Sequence, residues 1–164
     1  MESLIIETLS QASQTIATAE SCTGGLLAHR LTNVPGASTV FQEGFITYSN
    51  ASKIKLLHIP KSVLDTHGPV SQEVAKAMAE GVRILSKTTF GLATTGIAGP
   101  AGIGSSKGSA RDLPVGTLFL AIAAEGRPTL VWREIFGLER LAFKEKAVEV
   151  LLDRLSLILK KLLK

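Results

Sequence analysis

Chemistry in this chain would have to come from a few polar side chains and two glycine-rich turns. Ser21-Cys22-Thr23-Gly24-Gly25 stands directly after a β-branched, alternating stretch and before a helical pattern. Free N–H groups and the helix dipole at such a junction favour an anionic group. Gly96-Ile97-Ala98-Gly99-Pro100 and the glycines after it can expose several N–H groups in a concave arrangement, which also suits an anion. Neither is a Walker A or dinucleotide fingerprint, and a purely structural turn is as good a reading of either one alone. Two of them at strand ends point together toward a phosphorylated ligand. Ser52 and Lys55 have the S-x-x-K spacing that puts a serine and a lysine on one helical face, but the companion motifs S-D-N and K-T-G are missing. Residues 104–108 match G-x-S-x-G inside a polar loop with no helix to form a nucleophile elbow, so chance explains them. His29, His58 and His67 lack metal-ligand spacing, and no metal site is expected.

The elements that must position these residues follow from periodicity. The first dozen residues, with Leu4, Ile5 and Leu9 apolar, read as a short amphipathic helix. Residues 15–19 read as a buried strand, 21–33 as a helix stopped by Pro35-Gly36, 41–48 as a strand and 50–57 as a short helix. Residues 71–87 form a better helix, with Ser71 as N-cap and Val74, Met78, Val82 and Leu85 on one face. Residues 90–95 are a second buried strand, and 115–124 with 129–136 read as a hairpin around residues 125–128. A long helix from about Leu138 closes the chain, with Leu141, Val148, Leu152, Leu155, Leu159 and Leu162 toward the core. Helices alternating with strands, plus one antiparallel pair, predict a three-layer α/β/α sandwich on a mixed sheet. Ligands collect at the carboxyl ends of strands in such sheets, where both glycine-rich turns fall.

Composition narrows the classes. With 164 residues, 45% apolar and 20% charged, the chain is long enough for one domain spanning residues 1–164 with a real core. The net charge of +4 owes most to Lys160, Lys161 and Lys164, and only eight aromatics are present, none interleaved with a basic run. Nucleic-acid binding is therefore ranked last, although the pI is near 9.4. The lone Cys22 cannot form an intrachain disulfide, no apolar run reaches membrane-spanning length, and the N-terminus lacks a basic signal-peptide region. A cytoplasmic protein without membrane association is expected. An exposed apolar edge on the final helix would favour self-association, so a homo-oligomer is expected.

Six segments occur in a telling order: Ala19-Glu20-Ser21-Cys22-Thr23-Gly24-Gly25; Gly36-Ala37-Ser38; Phe45-Ile46-Thr47-Tyr48-Ser49-Asn50 with Lys53; His67-Gly68-Pro69-Val70-Ser71; Thr95-Gly96-Ile97-Ala98-Gly99-Pro100; and Pro114-Val115-Gly116-Thr117. Together they resemble the C-terminal domain of the CinA (competence/damage-inducible protein A) family, over nearly the whole chain. That family includes stand-alone PncC-type nicotinamide-nucleotide amidohydrolases, which convert nicotinamide mononucleotide (NMN) to nicotinate mononucleotide and ammonia in NAD salvage. The resemblance implies a serine amidohydrolase with a Ser/Lys pair, no metal and no cofactor. It puts the nucleophile on Ser38, with Ser21 as the alternative, and the base on Lys53. Tyr48, Ser21, Thr95 and Arg140 match further active-site positions.

The residue chemistry is compatible with that implication. A serine needs a positioned base, and a lysine can be one if burial lowers its pKa. Tyr48 or Ser21 could relay the proton to the leaving ammonia, and backbone N–H groups at Ser38 or the Gly96 turn could form an oxyanion hole. Thr23, Gly24, Thr95, Gly96 and Ser21 are candidate substrate contacts, and Arg140 offers a fork-shaped donor for a phosphate. One departure from the family stands at residues 101–113, a longer insert in which Leu113 takes the place of a usual lysine. The alternative reading is a non-catalytic nucleotide-binding or interaction domain on the same fold.

Overall fold

The structure, a computed structural model, describes residues 1–99 and 113–162. The G-x-S-x-G match at 104–108 and nearly all of the 101–113 insert lie outside the described residues. In order, the elements are α1 (Glu2–Gln11), β1 (Ile16–Glu20), α2 (Leu26–Thr32), a one-turn 3₁₀ helix (Ala37–Thr39), β2 (Phe41–Ile46), α3 (Asn50–Leu57), α4 (Lys61–His67), α5 (Gln72–Leu85), β3 (Phe90–Gly96), β4 (Thr117–Ala124), β5 (Leu130–Ile135) and α6 (Arg140–Leu162). The five strands form one mixed sheet in the order β2-β1-β3-β4-β5. β2, β1 and β3 are parallel, and β4 and β5 are antiparallel additions. This is the expected three-layer sandwich.

Period-two alternation along the strands sorts the two cores. Ile16, Phe90, Leu92, Leu118, Leu120 and Ile122 face α1, α2 and α6, where Ile5, Leu27, Phe143 and Leu151 meet them. The opposite face of the same strands is lined by Ala17, Ala19, Ala93, Ala121 and Ala123 and receives Val74, Met78 and Val82 of α5. Small residues there let α5 lie close against the sheet. At Gly91 a Cβ would stand 2.1 Å from the Ala79 carbonyl, so no side chain fits.

Three sequence expectations need correction. The helix expected from residue 21 starts at Leu26, because Gly24 and Gly25 take positive φ values of 60° and 99°. α4 was not foreseen: its seven residues carry only one buried apolar side chain, Leu64, too few to show a period. Leu4, Leu85 and Leu141 are 50%, 37% and 65% exposed, and Ile6 and Phe143 supply the burial instead. Among the described residues no helix is long and apolar enough to cross a membrane.

Candidate active site

β1 and β3 are neighbours whose connections lie on opposite faces of the sheet. β1 reaches β2 through α2 on one face, and β2 reaches β3 through α3, α4 and α5 on the other. A crevice opens at the carboxyl ends of strands at such a reversal. Ser21 follows the last residue of β1, and its N–H donates to the Thr94 carbonyl of β3 at 2.9 Å. It stands at the reversal and is 8% exposed.

Lys53 reaches the same point from the α3 layer. The helix opens with a capping box: Ser49 accepts from the Ser52 N–H, and the Ser52 hydroxyl accepts from the Ser49 N–H. That start fixes the helical register that turns Lys53 inward, where it is 1% exposed. Its Nζ donates to Ser21 Oγ at 3.0 Å and to the Thr47 carbonyl at 2.7 Å. No carboxylate pairs with it among the described residues. Burial therefore pushes its pKa down to about 8. At pH 7.5 about a quarter of it would be neutral, against roughly one part in a thousand for an ordinary lysine. A neutral amine in contact with a hydroxyl can take its proton, so this pair can generate an activated serine.

The other side of Ser21 is occupied differently from the sequence expectation. Glu20, also 1% exposed, sends its carboxylate to the start of α2. It accepts from the N–H groups of Gly25 (3.0 Å), Leu27 (3.0 Å) and Ala28 (2.8 Å) and from the Thr23 hydroxyl (2.6 Å). The Gly24 and Leu26 N–H groups go to the Ser21 and Thr23 carbonyls. The anion that this helix start binds is thus the chain's own, and the 21–25 turn is not a phosphate cradle. Thr23 is fully buried; with its proton on Glu20, it accepts from Thr94 at 2.7 Å. It is a structural residue, and the substrate contact expected of it is not open.

Four more of the expected site residues are placed differently. Ser38 lies in the 3₁₀ turn before β2, and the neighbouring Thr39 hydroxyl reaches Ser10 at the end of α1. Phe41 is in register with Ile16, and Ile46 with Glu20. Ser38 is therefore at the amino ends of the parallel strands, about 16 Å of strand away from Ser21 and Lys53. Within the chain Lys53 meets Ser21, and the expected Ser38–Lys53 pair does not form. An oxyanion hole at Ser38 fails for the same reason. At Gly96 a Cβ would meet the Thr117 carbonyl at 2.6 Å, and the Ile97 N–H donates to that carbonyl. The glycine there serves strand packing against β4. Tyr48 is 63% exposed beside the site, and no hydrogen bond links its hydroxyl to Ser21 or Lys53. Thr95 is buried at the end of β3, where its hydroxyl donates to the Pro69 carbonyl and ties the α4–α5 connection to the sheet.

Arg140 lies against the turn that follows β3. It is the first residue of α6, and its Cβ and Nε lie 3.4 and 3.7 Å from the position of a Gly99 Cβ. The sequence reading missed Lys144, whose Nζ stands 3.6 Å from the position of a Gly24 Cβ. The signal was its spacing of four residues from Arg140, which puts both cations on one face of α6. It also missed Glu20, which carries no pattern of its own.

Fold and site define a three-layer α/β protein with a buried serine–lysine pair where the direction of winding reverses. The CinA C-terminal domain family matches residues 1–159, and the chain belongs to that family. A CinA-like protein of Syntrophus aciditrophicus is 48% identical over 130 residues, covering 79% of this chain and 29% of that protein. The chain thus spans about a third of the length of the curated relatives it matches. Among solved structures, the competence/damage inducible protein CihA from Agrobacterium tumefaciens superposes with a TM-score of 0.87 at 36% identity, covering 97% of this chain and 93% of that one. A CinA superfamily protein from Klebsiella pneumoniae gives 0.88 at 26% identity, with 98% and 96% covered.

Proposed function

We propose that the chain is a nicotinamide-nucleotide amidohydrolase that converts NMN and water to nicotinate mononucleotide and ammonia. The observation that carries a hydrolytic role is the 3.0 Å contact between Ser21 Oγ and a buried Lys53 that has no counter-ion among the described residues. The substrate class rests on the family resemblance, together with Arg140 at the mouth of the crevice.

In this reading Lys53 in its neutral form removes the Ser21 proton as Oγ attacks the carboxamide carbon. The tetrahedral intermediate collapses when Lys53 returns that proton to the departing nitrogen, which leaves as ammonia. A nicotinoyl ester on Ser21 remains. Lys53 then deprotonates a water that attacks the ester and passes that proton to Ser21 Oγ, which leaves as nicotinate mononucleotide is released. Arg140 holds the 5′-phosphate through charge-assisted hydrogen bonds. No step requires a metal or a redox group.

Ammonia release from NMN by the purified protein tests the proposal, with nicotinamide riboside as the phosphate-free comparison. Turnover of NMN with a preference over the riboside of about ten- to a hundredfold in kcat/KM is expected. No ammonia above blank, with NMN still raising the melting temperature, would replace the enzyme by a nucleotide-binding domain.

A further inference from the structure

Among the described residues, the two cations on the first turns of α6 are unpaired like Lys160 and Lys161 in its last turn, but they alone stand over the turns at the strand ends. Lys146 and Arg154 are paired with Glu149 and Glu134. Arg140 and Lys144 have no carboxylate partner among the described residues. They share one helix face, about 6 Å apart along the axis. Each stands over a glycine in a positive-φ turn: Arg140 over Gly99 (φ 93°) after β3, and Lys144 over Gly24 (φ 60°) after β1. The two turns flank the reversal point, and the Gly24 turn is the one that carries Ser21, with Gly24 N–H on the Ser21 carbonyl. The glycines interpose no side chain between these cations and the crevice. Glu20 saturates the α2 start from below, so the positive charge left for a ligand comes from α6 above.

We infer that Lys144 is a second phosphate-binding side chain, closing with Arg140 a two-cation clamp for a phosphomonoester across the Gly24 and Gly99 turns. The inference rests on the nucleotide-amidohydrolase reading for its substrate but not for its site. Arg140 supplies a planar fork and Lys144 a point charge, so together they approach the group from two sides. The clamp holds the ligand end remote from the amide. Losing Lys144 should therefore weaken binding more than it slows the chemical step.

The test compares wild type with Lys144→Met, which keeps the half-buried aliphatic stem, and Lys144→Arg, which keeps the charge. Two readouts are taken: steady-state ammonia release from NMN and nicotinamide riboside, and calorimetric binding of ribose 5-phosphate, which needs no turnover. Lys144→Met should raise KM for NMN by about ten- to a hundredfold with kcat changed far less. It should lose much less on the riboside and should weaken ribose 5-phosphate comparably. Lys144→Arg should restore most of both. Equal losses on NMN and riboside, or unchanged ribose 5-phosphate binding, would overturn the clamp while leaving the amidohydrolase intact. If wild type turns over no NMN, the amidohydrolase reading fails and calorimetry alone decides. Loss of ribose 5-phosphate binding in Lys144→Met would then support the clamp, and its absence in wild type would sink it.

Discussion

Ser21 is flanked by two buried side chains of opposite charge, and the two are met in opposite ways. Glu20 and Lys53 are each 1% exposed. Glu20 accepts three backbone N–H bonds and one hydroxyl at the start of a helix, on the α2 face of the sheet. Lys53, on the α3 face, has one hydroxyl, one carbonyl and no counter-ion among the described residues. A buried charge with all its bonds made is a fastening. A buried charge left short of partners titrates near neutrality and is available for proton transfer. The two faces of one strand end thus divide the labour: the carboxylate fixes where Ser21 sits, and the amine can act on its hydroxyl.

The largest effect should come from the amine side. Ser21→Ala and Lys53→Met should each lower kcat for NMN by about four powers of ten, with the double variant no worse than either single, because the pair acts as a unit. Ser38→Ala, at the other end of the strands, should keep activity within a few-fold of wild type. Steady-state ammonia release on all four proteins decides. A collapse in Ser38→Ala with Ser21→Ala active would mean that the hydroxyl touching Lys53 is not the nucleophile.

The carboxylate side should fail in stability. Glu20→Ala strands three N–H donors and a hydroxyl in or near the core, and should cost about 3–5 kcal/mol in urea unfolding. Glu20→Gln keeps one acceptor but turns an NH₂ group toward other donors, so it should lose less. Loss of activity in Glu20→Gln at unchanged stability would show that Glu20 serves the chemistry directly, and the division proposed between the two faces would fall.

These outcomes also measure how far the sequence could be read. The layers were legible because the buried-strand runs at residues 90–95 and 115–124 and the 3.6-residue spacing from Val74 to Val82 are strong signals. The short α4 and the 3₁₀ turn were not, since one turn or two carry no period. Lys53 and Arg140 were found through the family's motifs. The partner of Lys53 was misplaced because spacing along the chain does not say which end of a parallel strand a turn occupies; that follows from strand register. The Ser21–Gly25 turn was read as an anion site correctly in kind, but the anion is Glu20, adjacent in sequence and invisible to a motif that expects a ligand.

Titration sharpens the contrast through Lys53. Its folded pKa, about 8, lies below the ordinary value of 10.5 that it takes when unfolded. Between those values the unfolded chain binds the additional proton, so stability contributed at this position rises with pH across that window. Below about pH 8 both states are protonated and the whole burial penalty is present. The stability difference between Lys53→Met and wild type should therefore shift by about 3 kcal/mol in favour of wild type from pH 7 to pH 10.5. Lost bonds to Ser21 and Thr47 add an offset that does not vary with pH. In the same way, kcat/KM should rise with pH and level off above about 8 as Lys53 becomes a base. A flat difference between the two unfolding profiles would mean that Lys53 keeps an ordinary pKa and is no base.

The smallest effect is predicted where a cysteine could compete with Ser21 for the role of nucleophile. Cys22 is adjacent to Ser21, yet it is 7% exposed and turned into the α1/α2/α6 core. Burial pushes its thiol pKa up to about 12, so almost no thiolate exists at neutral pH. A thiol reagent should therefore label native protein slowly and leave ammonia release unchanged. Cys22→Ala removes one sulfur from a packed core and should cost about 1 kcal/mol in urea unfolding. Its kcat should stay within about twofold of wild type, since the thiol neither contacts Lys53 by a hydrogen bond nor opens to the crevice. Rapid inactivation by the reagent in wild type, absent in Cys22→Ala, would instead place a reactive thiolate beside Lys53 and transfer the nucleophile by one residue.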